Sequence, residues 1–375
     1  MSRLPAMPIQ KFMAKHRNPV KKEILHNRLS RDQLLKQIAA EPAVPRRTLS
    51  FYRYLKIEDP HALRDELYRE WSGLGVRGRI YLAREGINAQ LSVPIEKLGS
   101  FRAALEGRPG FSSMRLNPGV EDDGNSFLKL TIKVKRYIVN DGLGDFELDE
   151  NVAAPHLKPL EFNRALEEPG TVVVDMRNQY ESEVGHFENA ICPDVPTFRE
   201  ELPVVAEMLK DKKDQKILIY CTGGIRCEKA GAYLRKQGYK NVYQLEGGVI
   251  NYAHAVKQEG LPSKFKGKNF VFDERLGERI TNDILAKCHI CGASSDRQIN
   301  CANEGCHVLM VQCEACGEKL NNCCSEECRE ISLLPAEKRR ELRKADPNLK
   351  NKAWFSKKIR RRSHSVQVGE QGPCQ

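Results

Sequence analysis

Ile217-Leu218-Ile219-Tyr220-Cys221-Thr222-Gly223-Gly224-Ile225-Arg226-Cys227-Glu228-Lys229-Ala230 reads as a short buried strand running directly into a helix, with a cysteine at the junction. An unbroken apolar run suits a strand covered on both faces, as in a parallel sheet. The glycine pair permits a tight turn whose successive N–H groups face inward. The helix starting at Ile225 adds the positive end of its dipole, and Arg226 adds a full charge. Each effect favours thiolate over thiol, so the loop Cys221, Thr222, Gly223, Gly224, Ile225, Arg226 is expected to hold a nucleophilic Cys221 with a lowered pKa. The bland alternative is a structural cysteine at a strand end. Cysteine phosphatases use C-x5-R; here Cys221 and Arg226 form C-x4-R, one residue tighter and better suited to a sulfur-sized or planar group. Phosphatase chemistry is disfavoured. Cys227 reads either as a small residue in the first helical turn or as a resolving thiol.

Outward from this loop the pattern repeats. Apolar strands over 171–175, 216–220 and 242–245 alternate with helices over 198–209, 225–237 and 248–257. Such alternation predicts a parallel α/β domain over 152–262, with its site at the carboxyl ends of the strands. Upstream, 46–142 predicts the order βαββαβ, a ferredoxin-like α+β domain. Its strands fall at 47–55, 78–83, 87–93 and 126–139, the last carrying Lys129, Lys133, Lys135 and Arg136. Asp59-Pro60 opens its first helix and Pro94 its second. Residues 1–45 read as a basic, flexible extension with a short helix over 30–40.

The chain has 375 residues, 13 cysteines and a formal net charge of +11. That field favours polyanions, nucleic acid before acidic membrane. Cys288, Cys291, Cys301, Cys306, Cys313, Cys316, Cys323, Cys324 and Cys328 crowd into 267–334, where CxxC spacing favours metal over a disulfide framework. Two structural Zn²⁺ sites are expected: Cys288 and Cys291 with Cys313 and Cys316, and Cys301 and Cys306 with the last group. His289 and His307 are further donors, and an iron–sulfur centre is the alternative. Residues 335–375 form a basic tail. There Arg339, Arg340, Arg343, Lys344, Lys357, Lys358, Arg360, Arg361 and Arg362 surround Trp354, offering phosphate contacts beside a stacking ring; a solvated tail is the alternative. No apolar run is long enough to span a bilayer, and free thiols point to a reducing compartment, the cytoplasm.

The loop together with Asp175-Met176-Arg177, Gly185-His186-Phe187 and Glu246-Gly247-Gly248 resembles a rhodanese domain. Gly78-Arg79-Ile80-Tyr81-Leu82-Ala83-Arg84-Glu85-Gly86-Ile87-Asn88-Ala89, the segment 221–230, Gly267-Lys268-Asn269-Phe270-Val271-Phe272-Asp273-Glu274-Arg275 and the terminal cysteines extend the likeness over nearly the whole chain. Together they are similar to the bacterial rhodanese-domain tRNA uridine hydroxylases. The resemblance implies oxygen-dependent hydroxylation of C5 of the wobble uridine, giving 5-hydroxyuridine. It makes molecular oxygen a co-substrate and the tRNA anticodon loop the partner. It makes Cys221 and Arg226 catalytic, with Asp175, Arg177, Glu181 and His186 on segments flanking the pocket; for Arg177, Glu181 and His186 a salt bridge or a satisfied histidine is the alternative to a substrate contact. Tyr81, Arg84 and Asn88 lie near the hairpin of a second RNA face. No flavin or nicotinamide motif and no 2-His-1-carboxylate triad is seen. The Cys221 thiolate would add to C6 of a flipped uracil and enrich C5 in electrons. The competing reading is a sulfurtransferase working through a Cys221 persulfide. A third is a non-enzymatic RNA-binding protein, against which the intact Cys221 and Arg226 argue.

Overall fold

A computed structural model describes residues 25–122, 124–144, 148 and 152–345. Within the expected flexible lead-in stands α1 (Arg31–Ala40), capped reciprocally by Ser30 and Gln33, with Leu25 and Leu34 buried. The chain then forms β1 (Arg46–Tyr54), α2 (Pro60–Gly73), β2 (Arg77–Ala83), β3 (Gly86–Pro94), α3 (Leu98–Glu106), β4 (Asn117–Pro118) and β5 (Leu130–Val134). Asp59 caps α2 by accepting from the N–H groups of His61 and Ala62, as its place before Pro60 predicts.

Strand order is β4-β1-β3-β2-β5. The sequence places the closing strand at 126–139; the structure corrects this. The two-residue β4 takes the slot beside β1, and β5 is a fifth strand on the opposite edge, parallel to β2 with Ile80 opposite Ile132. The alternating pattern of 128–135 is satisfied on either edge, so it does not fix the partner. Period-two alternation turns Leu49, Phe51, Ile80, Leu82, Ala89 and Leu91 toward α2 and α3, around Trp71 and Phe101. It turns Ser50, Tyr52, Arg79, Tyr81, Asn88 and Gln90 to the face that the helices leave uncovered.

The next unit contains β6 (His156–Leu157), α4 (Pro159–Glu167), β7 (Val172–Asp175), α5 (Gln179–Ser182), β8 (Gly185–Phe187), α6 (Phe198–Met208), β9 (Ile217–Tyr220), α7 (Ile225–Lys236), β10 (Val242–Leu245) and α8 (Gly248–Glu259). The sheet β6-β10-β9-β7 is parallel throughout. α6 and α7 cover one face and α4 and α8 the other. β9 is fully buried in the centre, which its uninterrupted apolar run requires. β11 (Phe265–Asn269) pairs antiparallel with β8 and with β12 (Glu278–Arg279). A hairpin of β13 (Gln298–Asn300) and β14 (Leu309–Val311) follows, with α9 (Glu314–Lys319), α10 (Glu326–Leu333) and α11 (Ala336–Ala345).

Candidate active site

Cys221 leaves the carboxyl end of β9 and Gly224 caps α7 at φ +105°. Only glycine fits there, since a Cβ would stand 2.7 Å from the Tyr52 hydroxyl. The Gly224 N–H donates to Cys221 Sγ at 3.2 Å. Burial alone would raise the thiol pKa. The Cys227 side chain, the Arg226 charge and the N–H groups of Cys227 and Gly224 outweigh it and hold Cys221 at about 6. Gly248, at φ +65°, lets the start of α8 close over the loop; a Cβ there would lie 2.5 Å from the Cys221 carbonyl oxygen.

Arg226 is almost fully buried and is tied to Glu181. Its Nη1 and Nη2 donate to the two Glu181 carboxylate oxygens at 2.6 and 2.9 Å, and its Nη2 also meets Thr222 Oγ1 at 3.2 Å. Glu181 is fully buried. Beside this pair lies Glu201 on α6, fully buried, with neither carboxyl oxygen hydrogen-bonded among the described residues. Burial pushes its pKa far up, and the charges of Asp175, Glu181 and Cys221 push it further against the pull of Arg226. Glu201 therefore holds its proton more tightly than an ordinary carboxyl group. Sequence reasoning missed it, although Phe198, Glu201, Leu202 and Val205 share the apolar helical stripe, where an acid is out of place.

The first domain completes the site. Tyr52 donates to Glu228 at 2.9 Å and Tyr54 to the Ile225 carbonyl at 3.1 Å. Lys229, fully buried on α7, meets Glu85 of the β2–β3 turn at 2.8 Å and Asp141 at 2.6 Å. The uncovered face of the first sheet and the Cys221 loop enclose a cavity of about 640 Å³, of a size that holds a small ligand. Tyr52, Tyr81, Phe127 and Phe272 offer rings to it, Asn88 and Asn140 amides, and Arg79, Arg199 and Arg275 cations, while Cys221 forms part of its wall. Glu278 also lines it; burial raises its pKa to about 6 despite the ion pair with Arg275.

Tyr81 and Asn88 thus reach the cavity, whereas Arg84 is not among its lining residues. Asp175, Arg177 and His186 also stand apart from it. Arg177 binds Asp175 through two bonds of 2.8 and 2.7 Å, with Tyr220 on the same carboxylate at 2.7 Å. His186 Nδ1 faces the Ser182 carbonyl at 2.8 Å, and burial lowers its pKa. These groups fasten β7, β8 and β11 together. Of the basic tail, Arg339, Arg340, Arg343 and Lys344 lie on α11, with Arg343 paired to Glu304 at 2.7 Å. Trp354, Lys357, Lys358, Arg360, Arg361 and Arg362 lie outside the described residues.

Two groups of four cysteines converge farther along. Cys288, Cys291, Cys313 and Cys316 form one and Cys301, Cys306, Cys324 and Cys328 the other, the sulfurs of each within 4.8 Å of one another. Four thiolates about 2.3 Å from one tetrahedral ion sit about 3.8 Å apart. The separations Cys291–Cys313, Cys306–Cys324 and Cys324–Cys328 are 3.6, 3.7 and 3.6 Å. The donor sets therefore fit a single ion each, and the core of an iron–sulfur cluster would spread them wider. Cys323 falls outside both groups: next to Cys324 it must point elsewhere, and its side chain joins the apolar cluster with Val308 and Met310. His289 is held by Glu183 at 2.8 Å. No His belongs to either group.

Residues 46–138 match the UPF0176 acylphosphatase like domain, 158–255 the rhodanese-like domain and 266–329 the rhodanase C-terminal domain. A tRNA uridine(34) hydroxylase from Leptospira interrogans is 54% identical to this chain, covering 92% of it and 93% of the relative. Proteins of the same name from Cronobacter sakazakii and Photorhabdus laumondii are each 51% identical over 87% of this chain, covering 93% and 92% of those relatives. With half its residues shared along almost the full length of these proteins, the chain belongs to the tRNA uridine(34) hydroxylase family.

Proposed function

We propose that this protein hydroxylates C5 of the wobble uridine of tRNA, using molecular oxygen and the Cys221 thiolate, to give 5-hydroxyuridine. The observation that carries the reading is the thiolate in the wall of an aromatic, amide-lined cavity, in a chain so close to tRNA uridine(34) hydroxylases. An anticodon loop exposes its bases, so a uracil can leave its stack and enter such a cavity. Tyr52, Tyr81 and Phe272 provide stacking surfaces, Asn88 and Asn140 can read the polar edge of the ring, and Arg79 and Arg199 can meet the flanking phosphates.

Cys221, ionised at neutral pH, adds to C6 of the ring and makes C5 electron-rich toward oxygen. Arg226 lines the cavity beside Cys221, where its charge holds the thiolate and Glu181 holds Arg226. Asp175, Arg177 and His186 are positioning residues for the strand ends. The ferredoxin-like first domain supplies the roof of the site, and the rhodanese domain supplies its floor. The two cysteine groups hold zinc, which makes a module with little apolar core of its own fold as a unit. α11, with Arg340 and Lys344 exposed, adds cations for phosphate, and the basic residues of the tail contribute through their charge. The cytoplasm is the compartment in which these thiols stay reduced.

The test is nucleoside mass spectrometry of unmodified tRNA incubated with the purified protein in air. 5-Hydroxyuridine should appear at the wobble position and vanish with Cys221→Ser. Undiminished product from that variant, or thiosulfate-dependent thiolation in place of hydroxylation, would sink the reading.

A further inference from the structure

We infer that Cys227 is a second catalytic thiol, and that Cys221 and Cys227 together supply the two electrons that the hydroxylation consumes. This rests on the hydroxylase reading above. Placing one oxygen atom of O₂ on C5 leaves the other to be reduced to water, which takes two electrons and two protons. Two thiols becoming one disulfide deliver that amount.

The geometry supports the pairing. Cys221 ends a strand and Cys227 stands in the first turn of the following helix, and the tight glycine turn folds one back on the other. Both are fully buried in one cluster with Ile219 and Ala230. The Cys227 N–H donates to the Gly224 carbonyl at 2.9 Å, and the Gly224 N–H donates to Cys221 Sγ at 3.2 Å, so one turn carries both cysteines. Cys221 faces the cavity, whereas Cys227 is not among its lining residues and lies behind. A small apolar residue would fill that slot equally well, so the thiol itself is the feature that calls for a role. Burial and the neighbouring Cys221 thiolate keep Cys227 protonated, as a proton and electron donor should be.

The steps balance. Cys221 sulfur bonds to C6 and the C5–C6 electron pair moves to C5. C5 bonds to O₂ and, with one proton, carries a hydroperoxide. Loss of the C5 proton restores the C5–C6 double bond and expels the Cys221 thiolate. That thiolate, which faces the cavity, attacks the distal oxygen; the O–O bond breaks, Cys221 becomes a sulfenic acid and the oxygen left on C5 takes up a proton as the hydroxyl. The Cys227 thiol, behind Cys221, attacks the Cys221 sulfur, forming the disulfide and releasing water. In sum, uridine, O₂ and two thiols give 5-hydroxyuridine, a disulfide and water. An external thiol then resets the pair.

The experiment uses the full-length protein, reduced and freed of added thiol under nitrogen, mixed with excess unmodified tRNA and then exposed to oxygen. The expected result is roughly one 5-hydroxyuridine per chain and, in step with it, a Cys221–Cys227 disulfide in the peptide mass spectrum, with turnover resuming on adding dithiothreitol. The disulfide should need both tRNA and oxygen. Cys227→Ser cannot form the disulfide; it should bind tRNA normally and leave Cys221 as a sulfenic acid, which dimedone traps at least about tenfold more in that variant than in the wild type. Wild-type product without the disulfide, or no more trapped sulfenic acid in Cys227→Ser than in the wild type, overturns the inference. If Cys227→Ser fails to fold, the wild-type mass spectrum decides alone. Absence of 5-hydroxyuridine from the wild type even with dithiothreitol is a different failure, that of the hydroxylase reading itself.

Discussion

Replacing Glu181 by Gln should weaken the fold and, at the same time, make Cys221 more acidic. Glu181 and Arg226 are joined by two bonds of 2.6 and 2.9 Å, with side chains 0% and 8% exposed. Glutamine keeps the shape and one acceptor but removes the charge, leaving a buried guanidinium without its counter-ion. Breaking one side of such a pair costs about 3–5 kcal/mol. At about 2–4 °C per kcal/mol for a unit of this size, the melting temperature should fall by roughly 6–20 °C. The sign at the thiolate is opposite. Arg226 already lowers the Cys221 pKa toward about 6, and Glu181 offsets part of that charge. Without Glu181 the guanidinium acts on the sulfur undamped, so the pKa moves below its wild-type position. Calorimetry at pH 7 reads the first effect. The rate of methyl methanethiosulfonate capture of the Cys221 peptide between pH 4.5 and 8 reads the second. A melting temperature close to wild type would refute the buried-pair argument. A capture profile displaced to higher pH would refute the damping argument.

Wild-type activity should rise with pH through about 6 and then level off, because the thiolate is the reacting form. The linkage follows the same sign: a thiol whose folded pKa is depressed contributes stability above its unfolded pKa, and that contribution is lost as pH falls through about 6; melting curves across that window check it. Gly248→Ala, with its Cβ 2.5 Å from the Cys221 carbonyl at φ +65°, should cut hydroxylation at least about tenfold through displacement of the loop, with metal content unchanged. Purified protein should carry two equivalents of zinc by elemental analysis, one for each cysteine group, and Cys291→Ser should lower the first without emptying the second. Lys229→Met strands the carboxylates of Glu85 and Asp141 and should cost about 3–5 kcal/mol of stability, measured by denaturant unfolding.

What could be read in the chain divides by distance along it. The Cys221 cradle is built from neighbours in sequence, so strand, glycine turn and helix dipole could be inferred from a single stretch. Spacing marked the cysteines as metal donors, but adjacent and cross-braced pairings read alike in sequence, and the two groups of four, without Cys323, are set by the fold. Errors arose where a residue's role is set by something far off. The pattern at 130–134 identifies a strand but not the edge it joins, since both edges of the sheet present the same backbone bonds. Lys229 looks like an exposed lysine on a polar helix, and only Glu85 and Asp141, brought from other elements, account for its burial. Arg177 and Asp175 sit in a family motif, yet the structure spends them on holding strands together.

The cavity had a signal that local reading passes over. In an antiparallel sheet with helices on one side, the other face meets solvent or a partner. Here that face carries Tyr52, Arg79, Tyr81 and Asn88, a mixture of rings, amides and cations that suits a ligand better than a dry interface. The nucleophile and the surface that selects its substrate therefore come from different domains and different parts of the chain. On the proposed reading, Tyr81→Ala or Asn88→Ala should impair the fit of the uridine while leaving methyl methanethiosulfonate capture of Cys221 at its wild-type pH profile, because neither residue is among the groups that set that thiolate's pKa. If either substitution instead shifted that profile, selection and reactivity would have to be lodged in one network, and the division between roof and floor would be wrong.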